Sequence, residues 1–185
     1  MNKAVFLDRD GVINRKPPEG EYVTRWEDLE LLPGVAEAIA VLVKAGFLVI
    51  VISNQRCVAK GLLTVSELES IHQRMCDKLA TGGAVITDVY YCPHDIQPPC
   101  DCRKPSPGML FTAVRDHEVD LAGSWMVGDS ETDVEAGKKA GCRTARILKI
   151  GEVARGGADV FAQSLLDAVR QILPLTAPLE QISTK

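Results

Sequence analysis

Ala4-Val5-Phe6-Leu7-Asp8-Arg9-Asp10-Gly11-Val12 is the stretch on which the fold turns. Four uninterrupted apolar residues read as a strand, and that strand runs directly into two carboxylates one residue apart. Charges placed at the end of a buried strand need a partner or a metal. For the dipeptide Asp10-Gly11 alone, a plain acidic turn is the competing reading.

Outward from this stretch, short apolar runs alternate with amphipathic ones. Leu48–Ile52 is a β-branched run that suits a strand buried on both faces. Further strands are expected at Asp88–Tyr91, Trp125–Val127 and Thr144–Leu148. Helices are expected over Gly34–Ala45, stopped by Gly46, and over Ser66–Leu79, with Glu67 and Glu69 in its first turn. Three more are expected from Pro107 or Gly108 to His117, over Glu131–Ala140, and over Phe161–Ile172. Alternation of this kind predicts an α/β fold of three layers, a central parallel sheet with helices on both faces. Ligands of such sheets bind beyond the carboxyl ends of the strands. The places to search are therefore the residues after Leu7, Ile52, Tyr91 and Val127.

The 185 residues fit one domain, expected over 1–173, with a fraying tail over 174–185. Composition is 46% hydrophobic and 25% charged, with a net charge of −4, which argues against a nucleic-acid partner. The longest misleading apolar run, Gly46–Ile52, is far short of the ~20 residues that cross a bilayer. Acidic residues arrive before a signal-peptide core can build, so a cytoplasmic protein with no membrane contact is expected. In that compartment six cysteines point to thiols, metal ligands or core residues rather than disulfides.

Asp8, Asp10 and Asp129 all fall where strands deliver side chains to one rim. Three acids crowded there would repel one another without a hard cation between them, and oxygen donors of this kind suit Mg²⁺. Asp129 and Asp133 also sit where acids cap a helix, the plainer reading for Asp133. Ser53 ends the second strand, and Arg103-Lys104 supplies cations for an anionic substrate. Acids, hydroxyl and lysine together form a phosphate-handling set. Cys92-Pro93-His94 followed by Cys100-Asp101-Cys102 places one imidazole and three thiolates within eleven residues, a donor set for closed tetrahedral Zn²⁺. A loop of free thiols is the alternative.

Asp8-x-Asp10-Gly11, Ser53, Lys104 and Gly128-Asp129-x-x-x-Asp133, in this order, resemble the four motifs of the haloacid dehalogenase (HAD) superfamily of phosphatases. The resemblance implies a Rossmann-like HAD fold with Asp8 as nucleophile and Asp10 as general acid and base. It also implies Mg²⁺ held by Asp8, the main-chain carbonyl of Asp10 and Asp129. Ser53 and Lys104 would hold the phosphoryl oxygens, with Asp133 supporting them from behind. Cys-Pro-His…Cys-x-Cys-Arg-Lys-Pro inside such a chain is similar to the branch of heptose 1,7-bisphosphate 7-phosphatases and histidinol-phosphatases. Pro107-Gly108-Met109-Leu110 favours the former.

The implied enzyme is capless and monomeric, acts on a phosphorylated sugar, and draws its specificity from loops 15–22 and 54–60 and the zinc loop. Asn54, Gln55, Arg56 and Arg103 are the expected substrate contacts. Arg56-Cys57 departs from the Ser-Gly usual in the branch, and Cys57 is a candidate thiol near the entrance. Arg15, Lys16, Arg56 and Arg103 are candidates for holding a second phosphate, with solvated charge the commoner reading for Arg15 and Lys16; His72 and His117 read as surface or capping residues. The rivals are histidinol-phosphate hydrolysis, phosphoryl transfer to an acceptor other than water, and a zinc-stabilised binding module without catalysis.

Overall fold

The computed structural model describes residues 1–176. Strands β1 (Ala4–Leu7), β2 (Leu48–Asn54), β3 (Asp88–Cys92), β4 (Trp125–Gly128), β5 (Arg143–Ile147) and β6 (Val160–Ala162) form one sheet in the order β3-β2-β1-β4-β5-β6. Every pairing is parallel. Helices α1 (Val35–Lys44), α2 (Val65–Ala80), α3 (Gly108–His117), α4 (Glu131–Ala140) and α5 (Leu165–Thr176) cover both faces.

Alternation along the strands decides which side each residue feeds. Val5 and Leu7 join Val49, Val51, Trp125 and Val127 in a core with the buried sides of α1, α2 and α5. Ala4 and Phe6 point the other way, joining Ile50, Ile52 and Met126 in a second core under α3 and α4. Burial on both faces is what a parallel sheet requires, and it explains the unbroken apolar runs.

Local signals set the helix starts. Thr64 and Glu67 form a reciprocal capping box at α2, with Thr64 N donating to Glu67 Oε2 at 2.7 Å. Ser130 and Asp133 do the same at α4. The expected last helix, Phe161–Ile172, is corrected at both ends. Val160–Ala162 instead pairs with Ala145–Ile147 as the edge strand β6. The helix begins only after Ser164, whose Oγ accepts from Asp167 N. It also continues through Pro174 to Thr176, beyond the point where fraying was expected; residues 177–185 lie outside those described. The sheet order β2-β1-β4 then puts the ends of these three strands side by side, and the site is there.

Candidate active site

Asp8 follows β1, Ser53 lies in β2, Asp129 follows β4 and Asp133 sits in the first turn of α4. Lys104 arrives from the loop between β3 and α3. Its Nζ is 2.8 Å from Asp8 Oδ1 and 2.6 Å from Asp133 Oδ1, and it donates to the Ile52 carbonyl at 2.7 Å. Asn54 holds the lysine's main chain from both sides: Lys104 N donates to Asn54 Oδ1 and Asn54 Nδ2 to the Lys104 carbonyl. Asp133 caps α4 through Ser130 N and grips Lys104 with its other oxygen, so its two readings hold together.

Burial raises Asp8 to about 7, with Lys104 opposing and Asp133 and Asp10 adding to the rise. Burial alone would favour loss of the Lys104 proton; Asp133 and Asp8 outweigh it and hold its pKa above the ordinary lysine value. Asp129 is likewise raised by burial, against the pull of Lys16. Lys16, expected to be a solvated charge, instead reaches both Asp129 oxygens at 2.9 and 2.7 Å. Gly11 makes room for Asp129. Its φ of +99° suits glycine, and a Cβ there would lie 2.5 Å from Asp129 Oδ2. Asp8, Asp129 and Asp133 each bring a carboxylate oxygen within 4.8 Å of the others, all three residues buried. Three carboxylates facing the ammonium groups of Lys16 and Lys104, with oxygen donors only, fit a hard divalent cation.

Asp10 is turned towards a separate set of donors. Arg9 forks onto it, Nη2 lying 3.0 and 2.9 Å from its two oxygens, and Asn14 and Gln55 add one bond each. Burial would raise its pKa, but the Arg9 charge and these hydrogen bonds prevail and hold the carboxyl below its usual value. Arg9 is fully buried, and its Nη1 lies 3.1 Å from His72 Nε2. His72 is therefore no surface residue: it is 4% exposed, on the inner side of α2. His117, the other histidine set aside, is half-buried against Asp88.

A cleft of about 470 Å³ opens over the site, lined by Asp8, Asp10, Lys16, Asn54, Arg103 and Lys104 among others. Two expected substrate contacts do not line it. Gln55 is buried, donating to Asp10 and Ser53. Arg56 pairs with Asp95 and ties the β2 loop to the Cys/His loop. Cys57 is also buried, its thiol donating to Gln55 Oε1 and pushed up in pKa by burial, so it is not a reactive group at the entrance. Arg15 pairs with Glu30 in solvent. Ser53 is buried beneath the rim, its Oγ accepting from Gln55.

Cys92, His94, Cys100 and Cys102 converge without disulfides. Neighbouring donors lie 3.2–3.6 Å apart, close to the edge of a tetrahedron with the ~2.0–2.3 Å bonds of zinc. Soft donors in this number and spacing fit Zn²⁺.

A HAD-hydrolase-like family model matches residues 101–155. The D-glycero-beta-D-manno-heptose-1,7-bisphosphate 7-phosphatase of Rhodopseudomonas palustris is 43% identical over 170 residues, 88% of this chain and 89% of its own. The Escherichia coli protein of the same name is 35% identical over 189 residues, covering 96% of this chain and 97% of its own. Among solved structures, the D,D-heptose 1,7-bisphosphate phosphatase of B. bronchiseptica, complexed with magnesium and phosphate, superposes with a TM-score of 0.84 at 34% identity, over 94% of this chain and 99% of that one. With this identity carried across nearly the whole length of both chains, the protein belongs to the heptose-1,7-bisphosphate 7-phosphatase family of HAD-like hydrolases.

Proposed function

We propose that the chain is a phosphomonoesterase that removes the 7-phosphate of D-glycero-D-manno-heptose 1,7-bisphosphate, with Asp8 as its nucleophile. The arrangement around Asp8 carries the reading. Lys104 holds Oδ1, while Oδ2 has no hydrogen-bond partner among the described residues, and Asp8 lines the cleft. The names of the relatives supply the substrate.

The Asp8 carboxylate attacks phosphorus; a P–O bond forms to Asp8 as the bond to the sugar oxygen breaks. Asp10, which Arg9 and its hydrogen-bond donors keep ionised before substrate binds, takes a proton from solvent as the anionic phosphate arrives and gives it to that oxygen. A water then attacks the aspartyl-phosphate, Asp10 takes a proton from it, the bond to Asp8 breaks and inorganic phosphate leaves. Lys104 and Ser53 hold phosphoryl oxygens, and Lys104 offsets part of the repulsion between an anionic nucleophile and an anionic substrate. Arg103, lining the cleft, faces the second phosphate of the substrate, while Asn54, beside it, spends its side-chain amide on the Lys104 main chain. Asp8, Asp129 and the main-chain carbonyl of Asp10 would hold Mg²⁺, which when bound supplies charge neutralisation and orientation at the phosphoryl group. Cys92, His94, Cys100 and Cys102 would hold Zn²⁺ as a structural ion, with no position left for water. A monomeric, cytoplasmic enzyme completes the reading; no helix among the described residues is long and apolar enough to cross a membrane.

The test is kcat/KM for heptose bisphosphate, histidinol phosphate and 4-nitrophenyl phosphate, with and without Mg²⁺. The expected result is Mg²⁺-dependent turnover with a clear preference for the heptose. A preference for histidinol phosphate overturns the substrate, and absence of phosphate release from all three overturns the activity.

A further inference from the structure

The buried pair behind Asp10 has no part in the chemistry just described. Arg9 carries a full charge at 1% exposure, and His72 reaches it from α2, 63 residues further along the chain. A guanidinium only donates, so the His72 Nε2 facing Nη1 must be an acceptor, and the imidazole proton sits on Nδ1. Burial and the Arg9 charge push His72 down to about 3, which keeps that lone pair available at neutral pH. The ring is tilted at 60° against Tyr91, with centroids 5.5 Å apart, and the Tyr91 hydroxyl is anchored on Glu69. One end of the guanidinium is thus pinned to α2. The other end is forked onto Asp10 through Nε and Nη2.

We propose that His72 is a positioning residue for proton transfer: by fixing the plane of Arg9 it holds the Asp10 carboxyl in the orientation from which it serves the leaving group. Asn14 and Gln55 each hold one Asp10 oxygen, and the Arg9 fork supplies the remaining bonds, so the carboxyl follows the plane of the guanidinium. The His72 acceptor fixes that plane from the far side. It also satisfies an Nη1 donor whose burial without a partner would be costly.

The inference rests on Asp10 being the general acid, and the experiment separates the two. Loss of a leaving-group acid slows esters of poorly acidic alcohols, such as a sugar, far more than aryl esters, whose phenolates leave without a proton. The ratio of kcat/KM for heptose bisphosphate to that for 4-nitrophenyl phosphate therefore reports Asp10 alignment, whereas a general loss of folded enzyme lowers both equally. His72→Leu removes the acceptor at similar bulk, and His72→Gln returns an acceptor oxygen at similar reach. Asp10→Asn calibrates the full loss.

The expected result is a ratio lowered roughly tenfold in His72→Leu and by more in Asp10→Asn. In His72→Gln it should return to within about threefold of the unaltered enzyme. If His72→Leu does not fold, His72→Asn, whose amide is too short for Arg9, takes its place in the same comparison. An unchanged ratio in the acceptor-less variant beside a lowered ratio in Asp10→Asn overturns the role of His72. Equal loss on both substrates in Asp10→Asn overturns the acid assignment and the inference with it. No recovery in a folded His72→Gln also overturns it, because the effect then follows bulk rather than the acceptor.

Discussion

Two groups of metal-capable side chains lie on either side of Lys104, and they are built in opposite ways. Asp8, Asp129 and Asp133 come from residues up to 125 apart in sequence, and all three are buried. They are brought together by the parallel order of β2, β1 and β4. The four Cys/His donors come from eleven consecutive residues; only Cys92 is buried, and His94 is exposed. The carboxylates are a consequence of the fold and are neutralised from within by lysines. Among the described residues no lysine or arginine forms an ion pair with the thiols, and while Cys92, Cys100 and Cys102 pack on the second core, the prolines and glutamine of 97–99 add nothing apolar to it. One site is assembled by the fold; the other gathers its donors within one loop, which a bound ion would hold in place. Arg103 and Lys104, directly after Cys102, are where the two meet.

The largest effect should follow from the fold-built site. Asp8→Asn keeps the shape but removes the nucleophile, and turnover should fall by at least about 10³-fold with zinc content unchanged. Phosphate release together with metal analysis on the same sample checks both halves. Residual turnover near the unaltered level would move the chemistry away from the carboxylates and dissolve the contrast.

Next in size is the dependence of the fold-built site on a neutral buried histidine. Unfolded, His72 titrates near 6.5; folded, it is pushed down to about 3. Between those values the unfolded chain binds the extra proton, so stability falls as pH drops below 6.5. From pH 6.5 to pH 5 this group alone costs up to about 2 kcal/mol. Urea unfolding at pH 7 and pH 5 should show a flatter dependence in His72→Gln than in the unaltered protein. Parallel curves would mean that the imidazole is not held neutral in the fold.

How much of this could be read from the chain follows the same contrast. The motif acids and the Cys/His loop are visible in sequence because charge at a strand end and clustered soft donors are both anomalous there. Their order in the sheet was not legible, but five of the strands themselves were, as short apolar runs alternating with amphipathic stretches. β6 was not, because Val160–Ala162 is three residues long and earns its place only by pairing with β5. Lys16, His72 and Asn14 escaped because their partners are remote or their signal is ordinary. His72 did carry a signal. With Leu68, Ile71, Met75 and Leu79 it completes the buried stripe of α2, where a polar residue implies a buried partner. The substrate roles expected of Gln55 and Arg56 met a limit of another kind: loop side chains are claimed by neighbours, here Asp10 and Asp95, that spacing does not reveal.

The loop-built site should give a moderate effect. In Cys102→Ser zinc content should drop well below one per chain, and kcat/KM should fall roughly tenfold rather than a thousandfold. The reason lies in Asn54, which holds the Lys104 main chain from β2 independently of the metal loop. Removing Asn54 as well, by Asn54→Ala in the same chain, should lower activity by more than the product of the two single changes, because each support then covers for the other's loss. Simple multiplication of the two losses would show that the zinc loop and β2 act on the lysine separately.

The smallest effect tests the internal cation. Lys16 and a divalent ion both need the Asp129 oxygens, and Lys16 already holds both of them. Its side chain is 46% exposed, so the pair is partly screened and worth no more than about 1 kcal/mol. Displacing it should therefore weaken cation binding by only a few fold. Lys16→Met should bind Mg²⁺ or Mn²⁺ about 3-fold more tightly by calorimetric titration, with no change in zinc content. Weaker binding in Lys16→Met would mean that the lysine organises the carboxylates for the ion instead of competing with it. The contrast between the two sites would then sharpen: the buried acids would depend on an ammonium group to stay assembled, as the thiols would on a bound metal.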